Sequence, residues 1–244
     1  MSWHNGLICA VDAESTGVDI ESDRIVTWSR WIIDPAKGRK THAGWLLDPG
    51  VEIPEAASAI HGISTADARA RGQQAASAVR EIAGDLVSWS RDGAVTVAFN
   101  AQYDVSLLHR ECLRHGHTTE AAALESLRPV VDPFVIDKGL DRYRRGSRKL
   151  VDVAAHYGIE LSAEDAHGSA ADSLAAARVA YVIATRHDHI GRMDPAALHA
   201  LQQEWKADQA KSLQRHLRKT DPSATCAPEW PLVPVPAQIQ EQIR

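Results

Sequence analysis

The run LICAV at residues 7–11 is apolar at every position and leads directly into Asp12-Ala-Glu14-Ser15-Thr16-Gly17. Residues 7–13 read as a buried strand leading into a carboxylate cluster. Side chains alternate along a strand, so Asp12 and Glu14 point to the same face. Two carboxylates at the end of a buried strand repel one another and are costly to desolvate, and a divalent cation is the usual compensation. The alternative is a strand-end turn whose acids are simply solvated. Gly17 would let backbone approach a ligand closely.

The rest of the chain extends this strand into a sheet. Residues 24–34 and 40–48 are rich in β-branched residues and Trp and end at turn signals, which reads as two more strands. Their short connection at Pro35–Gly38 makes them an antiparallel pair. Residues 73–90 place Ala76, Val79, Ile82, Ala83, Leu86 and Val87 on one helical face. VTVAF at 95–99 and RPVVD at 128–132 read as short buried strands, with helices over 104–115, 150–157 and 169–187. Three strands followed by alternating helices and strands predict an α/β fold. Its sheet would be mixed and five-stranded, with three strands antiparallel and the rest parallel, flanked by helices.

After Gly191 the character changes. Asp194-Pro195 opens a helix carrying Leu198, Leu201 and Trp205, and from Asp221 onward the chain is Pro-rich and reads as extended. The expected division is a domain over 1–190 and a helical, then Pro-rich, extension over 191–244 that packs on the domain or binds a partner. Trp230, between Glu229 and Pro231, is expected to dock the extension.

Composition narrows the setting. The 244 residues are 44% hydrophobic and 24% charged, an ordinary soluble globular balance, and no stretch approaches the roughly 18–20 apolar residues that span a bilayer. The first residues lack a basic region before their short apolar run, and Cys9, Cys112 and Cys226 have neither disulfide nor zinc-ligand spacing. A cytoplasmic protein with no membrane partner is expected. The net charge of −5 argues against binding duplex over a large surface, but not against an acidic centre neutralised by metal with a local grip on its ligand.

Two further motifs carry chemistry. Asn100-Ala-Gln-Tyr103-Asp104 follows the 95–99 strand, where ligands gather at the carboxyl ends of parallel strands, although Asn100 or Asp104 could merely cap the helix. His167-Gly-Ser-Ala-Ala-Asp172 puts a loop His beside a carboxylate in the first turns of a long helix, which suits a general base. Spacing alone is weak evidence here, because His189 and Asp194 repeat it in a helix–helix connection.

These four carboxylates and one His, in this order, resemble the DEDDh exonucleases of the RNase H-like fold. The likeness is nearest to the epsilon-type proofreading subunit of bacterial DNA polymerase III and its free-standing relatives, and covers about residues 7–188. Ala59-Ile60-His61-Gly62-Ile63-Ser64 is similar to a segment that contacts the terminal nucleotide in that family. Two departures are mild: Ser15 stands where Thr is common, and Phe99 where His often precedes Asn100. The subclass that uses Tyr would have it at Gly168, so the His version fits.

The resemblance implies a 3′→5′ exonuclease acting on a nucleic-acid 3′ end, single-stranded, with DNA favoured. Asp12, Glu14 and Asp172 would hold one Mg2+ or Mn2+, Asp12 would bridge to a second ion, and Asp104 would support it through water. Two ions about 3.5–4 Å apart clamp the attacking and leaving oxygens. His167 would take the proton from the attacking water, and the product would be a 5′-nucleotide. Glu14 and the backbone near Ser15, Thr16 and Gly17 would hold the 3′-OH. Ile60, His61 and Tyr103 would pack on the last base or sugar, with Asn100 beside them. A DNA polymerase or another replication or repair protein is an implied partner.

Two other readings stay open: an exoribonuclease or oligoribonuclease of the same fold, and a non-catalytic module for nucleic-acid binding or polymerase assembly. The intact set of five residues argues against the second. Six basic residues between Lys138 and Lys149, and five between Lys206 and Lys219, are either solvated faces or tracks for backbone phosphates.

Overall fold

The computed structural model describes residues 2–161 and 168–236. Its sheet is built from β1 (Ile8–Ser15), β2 (Ile25–Asp34), β3 (Arg39–Asp48), β4 (Gln73–Gln74), β5 (Val95–Val97) and β6 (Val130–Val131). The order across the sheet is β4-β3-β2-β1-β5-β6. β1, β2 and β3 pair antiparallel, whereas β5 joins β1 and β6 joins β5 in parallel. β1 is therefore the strand where antiparallel and parallel halves meet.

The sheet has six strands rather than the predicted five. The extra one is a two-residue strand in which Gln73 and Gln74 pair with Leu47 and Asp48 of β3. The helix expected from residue 73 thus begins at Ala75 as α3 (Ala75–Arg91). Two polar, exposed residues carry no strand periodicity, so nothing in them announced the pairing. Short helices α1 (Glu55–His61) and α2 (Thr65–Arg71) precede it. α2 starts with a capping box, in which Ser64 and Asp67 satisfy each other's backbone N–H groups.

Alternation along β1 splits the core in two. Cys9 and Val11 face α3, α4 (Ala101–Arg114) and α5 (Thr118–Glu125). Ile8 and Ala10 face α6 (Pro133–Leu140), α7 (Leu150–His156) and α8 (Ser169–Arg186). β1 residues Ile8 to Val11 are at most 1% exposed, so the strand that ends in the carboxylates is clamped from both sides. A rigid strand end is what a site requiring sub-ångström placement needs.

Beyond α8 come a short α9 (Asp188–Gly191) and the long α10 (Pro195–Leu217). Asp194 caps α10 by accepting from Ala196 and Ala197 N–H, with Pro195 at the first helical position. α10 covers the sheet edge at β6 with side chains. His199 Nδ1 accepts from Val130 N at 3.1 Å, Gln202 Oε1 accepts from Asp132 N at 2.7 Å, and Gln202 Nε2 donates to Val130 O at 3.0 Å. The unpaired backbone of an edge strand is thereby satisfied without a further strand. The following segment turns back along α10, where Cys226 N donates to Gln214 Oε1 and Gln203 Nε2 donates to Trp230 O, and the Trp230 ring is 3% exposed.

Candidate active site

Asp12 and Glu14 leave β1 on the face that carries Ile8 and Ala10, the face covered by α8. Asp172 lies in the first turn of α8. The three residues each offer a carboxylate oxygen, and these oxygens lie within 4.8 Å of one another. Asp104, in the first turn of α4, stands just behind. It is 3% exposed, and its Oδ1 accepts from Ala13 N, between the two β1 acids, at 3.0 Å. Four acids from three elements thus meet at one strand end, three in direct reach of a shared cation and the fourth tied to the strand.

Bringing them together is expensive. Ionised carboxylates under 5 Å apart repel by about 3–4 kcal/mol per pair at an effective dielectric of ~20. Three such pairs would rival the whole stability of an ordinary domain, about 5–15 kcal/mol. The acids answer by holding protons. Burial, then Asp104, Asp172 and Glu14, push the Asp12 carboxyl well above the usual range. Burial and Asp172 push Glu14 up to about 7. Asp104 is also raised, by burial, although the Ala13 N–H opposes the shift. A divalent cation fits this donor set, because oxygen ligands of excess negative charge are what Mg2+ and Mn2+ take.

A cavity of about 590 Å³ opens beside Glu14. Ser15, Thr16, Gly17, Ile60, His61, Asn100 and Tyr103, all expected at the substrate, lie on its walls together with Pro54 and Ala57. Ser15 Oγ and Tyr103 OH lie 2.6 Å apart and both reach Gly17 O, which fastens α4 to the loop after β1. Burial pushes the Tyr103 phenol up to about 12, so it stays a neutral donor. Burial holds the His61 imidazole below its ordinary value. Ile60 is 61% exposed, an apolar side chain standing at the mouth.

Gly17, on the cavity wall, also has a steric reason to be glycine. A Cβ there would sit 2.5 Å from the Asp23 carboxylate. That carboxylate accepts from Thr16 Oγ1 and Asp19 N and holds the loop closed. His167 lies outside the described residues.

A family model described as exonuclease matches residues 9–180, well over half of the chain. The chain belongs to the RNase T exonuclease family. The fold agrees with that membership. E. coli Exonuclease I in complex with a dT13 oligonucleotide superposes on this exonuclease domain with a TM-score of 0.63 at 18% identity. Its dA16 complex gives 0.62 at 18%, and a moderately thermophilic Exonuclease I from Methylocaldum szegediense gives 0.59 at 17%. Each comparison covers 76% of this chain and 42% of the other, so the chain spans less than half the length of those proteins. No curated protein matches the sequence.

One residue behind the exonuclease site escaped the sequence. Asp132 is fully buried at the end of β6 and caps α6 by accepting from Phe134 and Val135 N–H. It also accepts from Asn100 N and Ala101 N, both at 2.9 Å. Read as the last residue of a strand, it gave no sign of this, although an Asp before Pro133 is a helix-start signal. No described helix is long and apolar enough to cross a membrane.

Proposed function

We propose that the chain is a 3′→5′ exonuclease that hydrolyses the terminal phosphodiester bond of a single-stranded nucleic acid, DNA favoured, and releases 5′-nucleotides. The observation that carries this reading is the meeting of the Asp12, Glu14 and Asp172 carboxylates within 4.8 Å, with a cavity opening beside Glu14. These three acids would hold Mg2+ or Mn2+, two ions per site, with Asp104 supporting from behind Asp12. Bound there, divalent ions would supply Lewis-acid stabilisation of the phosphoryl oxygens and would lower the pKa of the attacking water.

The chain's own residues do the rest. His167 takes the proton of the attacking water as a general base. Glu14 and the backbone of Ser15–Thr16 hold the terminal 3′-OH, which restricts attack to strand ends. Ile60, His61 and Tyr103 pack on the last base or sugar, a contact that tolerates any base. The cavity at 590 Å³ suits a terminal nucleotide rather than a duplex. E. coli Exonuclease I has been seen with dT13 and dA16 oligonucleotides, which favours DNA for this chain as well.

A matched panel of 5′-labelled DNA, RNA and dinucleotide substrates with Mg2+ tests the reading. Single-stranded DNA is expected to shorten fastest from its 3′ end, with EDTA stopping the reaction. Faster loss of RNA or of dinucleotides would replace the DNA assignment by the ribonuclease one.

A further inference from the structure

Asp132 is buried at the catalytic end of the sheet, yet the proposed chemistry does not use it. Its two oxygens gather five N–H groups from three parts of the chain. Oδ1 accepts from Asn100 N at 2.9 Å, Phe134 N at 3.0 Å and Val135 N at 3.4 Å. Oδ2 accepts from Ala101 N at 2.9 Å and from the indole Nε1 of Trp230 at 3.2 Å. Among the described residues, Asn100 is the only non-glycine with positive φ, at 66°. A left-handed residue in front of a helix persists only where its surroundings hold it. Here the holding group is the Asp132 carboxylate. One turn further along α4 stands Asp104, bonded to Ala13 N between Asp12 and Glu14.

The segment that brings Trp230 is laid along α4 itself. Gln102 Nε2 donates to Ala227 O at 3.2 Å and Glu229 O at 2.6 Å. Val233 N donates to Ser106 Oγ at 2.9 Å, and Arg110 Nη2 donates to Val233 O and Pro234 O at 3.0 and 2.9 Å. Residues 102, 106 and 110 are spaced by four, so they form one stripe of the helix. All of these partners lie after residue 180, beyond the part of the chain that the family model matches.

We propose that Asp132 is a positioning residue for Asp104, and that Trp230 of the C-terminal segment completes its hydrogen-bond set, making residues 226–236 part of the support of the catalytic helix. The proposal rests on the exonuclease reading of Asp104. Its content is that the first turn of α4 takes its place from this carboxylate, not from core packing alone. Asp132→Asn puts an NH2 group where one oxygen now accepts, which leaves either Asn100 N or Ala101 N facing a donor. Trp230→Phe keeps a ring in the same space and removes only the N–H.

The test compares these two full-length variants with Ile190→Ala, a core truncation at the opposite end of the sheet, where Ile190 O accepts from Trp3 Nε1. Four quantities are measured: thermal midpoint, amide exchange at residues 101–105, Mn2+ affinity by calorimetry, and kcat and KM on a short single strand. Asp132→Asn is expected to speed exchange, weaken Mn2+ binding about tenfold and lower kcat about tenfold with KM within about twofold, the scale seen when supporting partners of metal ligands are lost. Trp230→Phe is expected to move all three the same way by less. Ile190→Ala is expected to lower the midpoint at least as far while leaving exchange in α4, Mn2+ affinity and kcat unchanged. The proposal is overturned if Asp132→Asn and Trp230→Phe follow Ile190→Ala, or if exchange rises while Mn2+ affinity and kcat hold. Should the wild-type protein degrade no nucleic acid, the exonuclease reading fails by itself, and exchange and Mn2+ affinity still decide the role of Asp132.

Discussion

Burial and the neighbouring Asp172 push the Glu14 carboxyl up to about 7. An acid whose folded-state pKa exceeds its unfolded value binds more protons when folded, so stability falls as pH rises through the gap. For Glu14 that window runs from its ordinary value of 4.5 to about 7, and the penalty is complete above it. The metal-free protein should therefore lose about 1–2 kcal/mol between pH 5 and 7.5, a figure reduced because part of the carboxylate meets solvent. Glu14→Gln should flatten that fall in chemical denaturation curves. Added Mn2+ should stabilise wild type more at pH 8 than at pH 5.5, because the ion competes with the protons that the site retains. A denaturation midpoint that rises with pH in the metal-free protein would show that the acids are not crowded. At this scale the sequence was informative where local geometry decides. The period of a strand put Asp12 and Glu14 on one face, but the nearness of Asp172 is a tertiary fact. Gly17 is legible as a required glycine, whereas its crowding by Asp23 depends on how the following loop folds back.

Among elements, α6 and α10 approach closely at a glycine. Gly139 faces Trp205, and a Cβ on Gly139 would sit 2.3 Å from the indole ring. A helix glycine normally gains stability on conversion to Ala, by up to about 1 kcal/mol. Here overpacking reverses the sign. Gly139→Ala should cost about 1–3 kcal/mol in urea unfolding, as the ring or the whole of α10 is displaced. A stabilised variant would mean that the two helices do not meet in this way. The long helices and central strands were legible because their apolar spacing is unambiguous. α5 was not, since its Thr-Thr-Glu-Ala-Ala-Ala-Leu-Glu run carries too little periodicity to separate helix from loop. α1 and α2 were not read from the sequence, where the His61-Gly62-Ile63-Ser64 string stood only as a family likeness. Gly62, at φ 73°, ends α1, and Ser64 begins α2, so that string is the joint between two helices.

Over the whole molecule, a net charge of −5 conceals a division of sign. The acids converge at the end of β1, whereas Lys211, Arg215, Arg218 and Lys219 wall a separate hollow of about 320 Å³ near the end of α10. α10 runs along β6 toward the end of the sheet that carries Asp132, with His199 bonded to Val130 and Gln202 to Asp132. If that face meets substrate phosphates upstream of the reacting end, its loss should be felt by long strands and not by short ones. Replacing all four cations by Ala should make the salt dependence of single-strand binding shallower by about 2–3 units of slope, at roughly 0.7 per phosphate. Trinucleotide turnover should stay as it was. An unchanged slope on long strands would leave α10 as a solvated face. Neither sign nor composition could have decided this, because the chain average hides where each charge stands.

Activity of this site requires that the acids at the end of β1 hold divalent ions over a strand end. The most direct measurement pairs calorimetric titration of Mn2+ with 3′-end shortening of a 5′-labelled single strand, for wild type and Asp12→Ala. The account predicts that wild type binds the ion and shortens the strand. It predicts that Asp12→Ala stays folded by circular dichroism, binds Mn2+ far more weakly and degrades the strand slower by orders of magnitude. A folded Asp12→Ala protein that binds Mn2+ and shortens the strand as wild type does would contradict it.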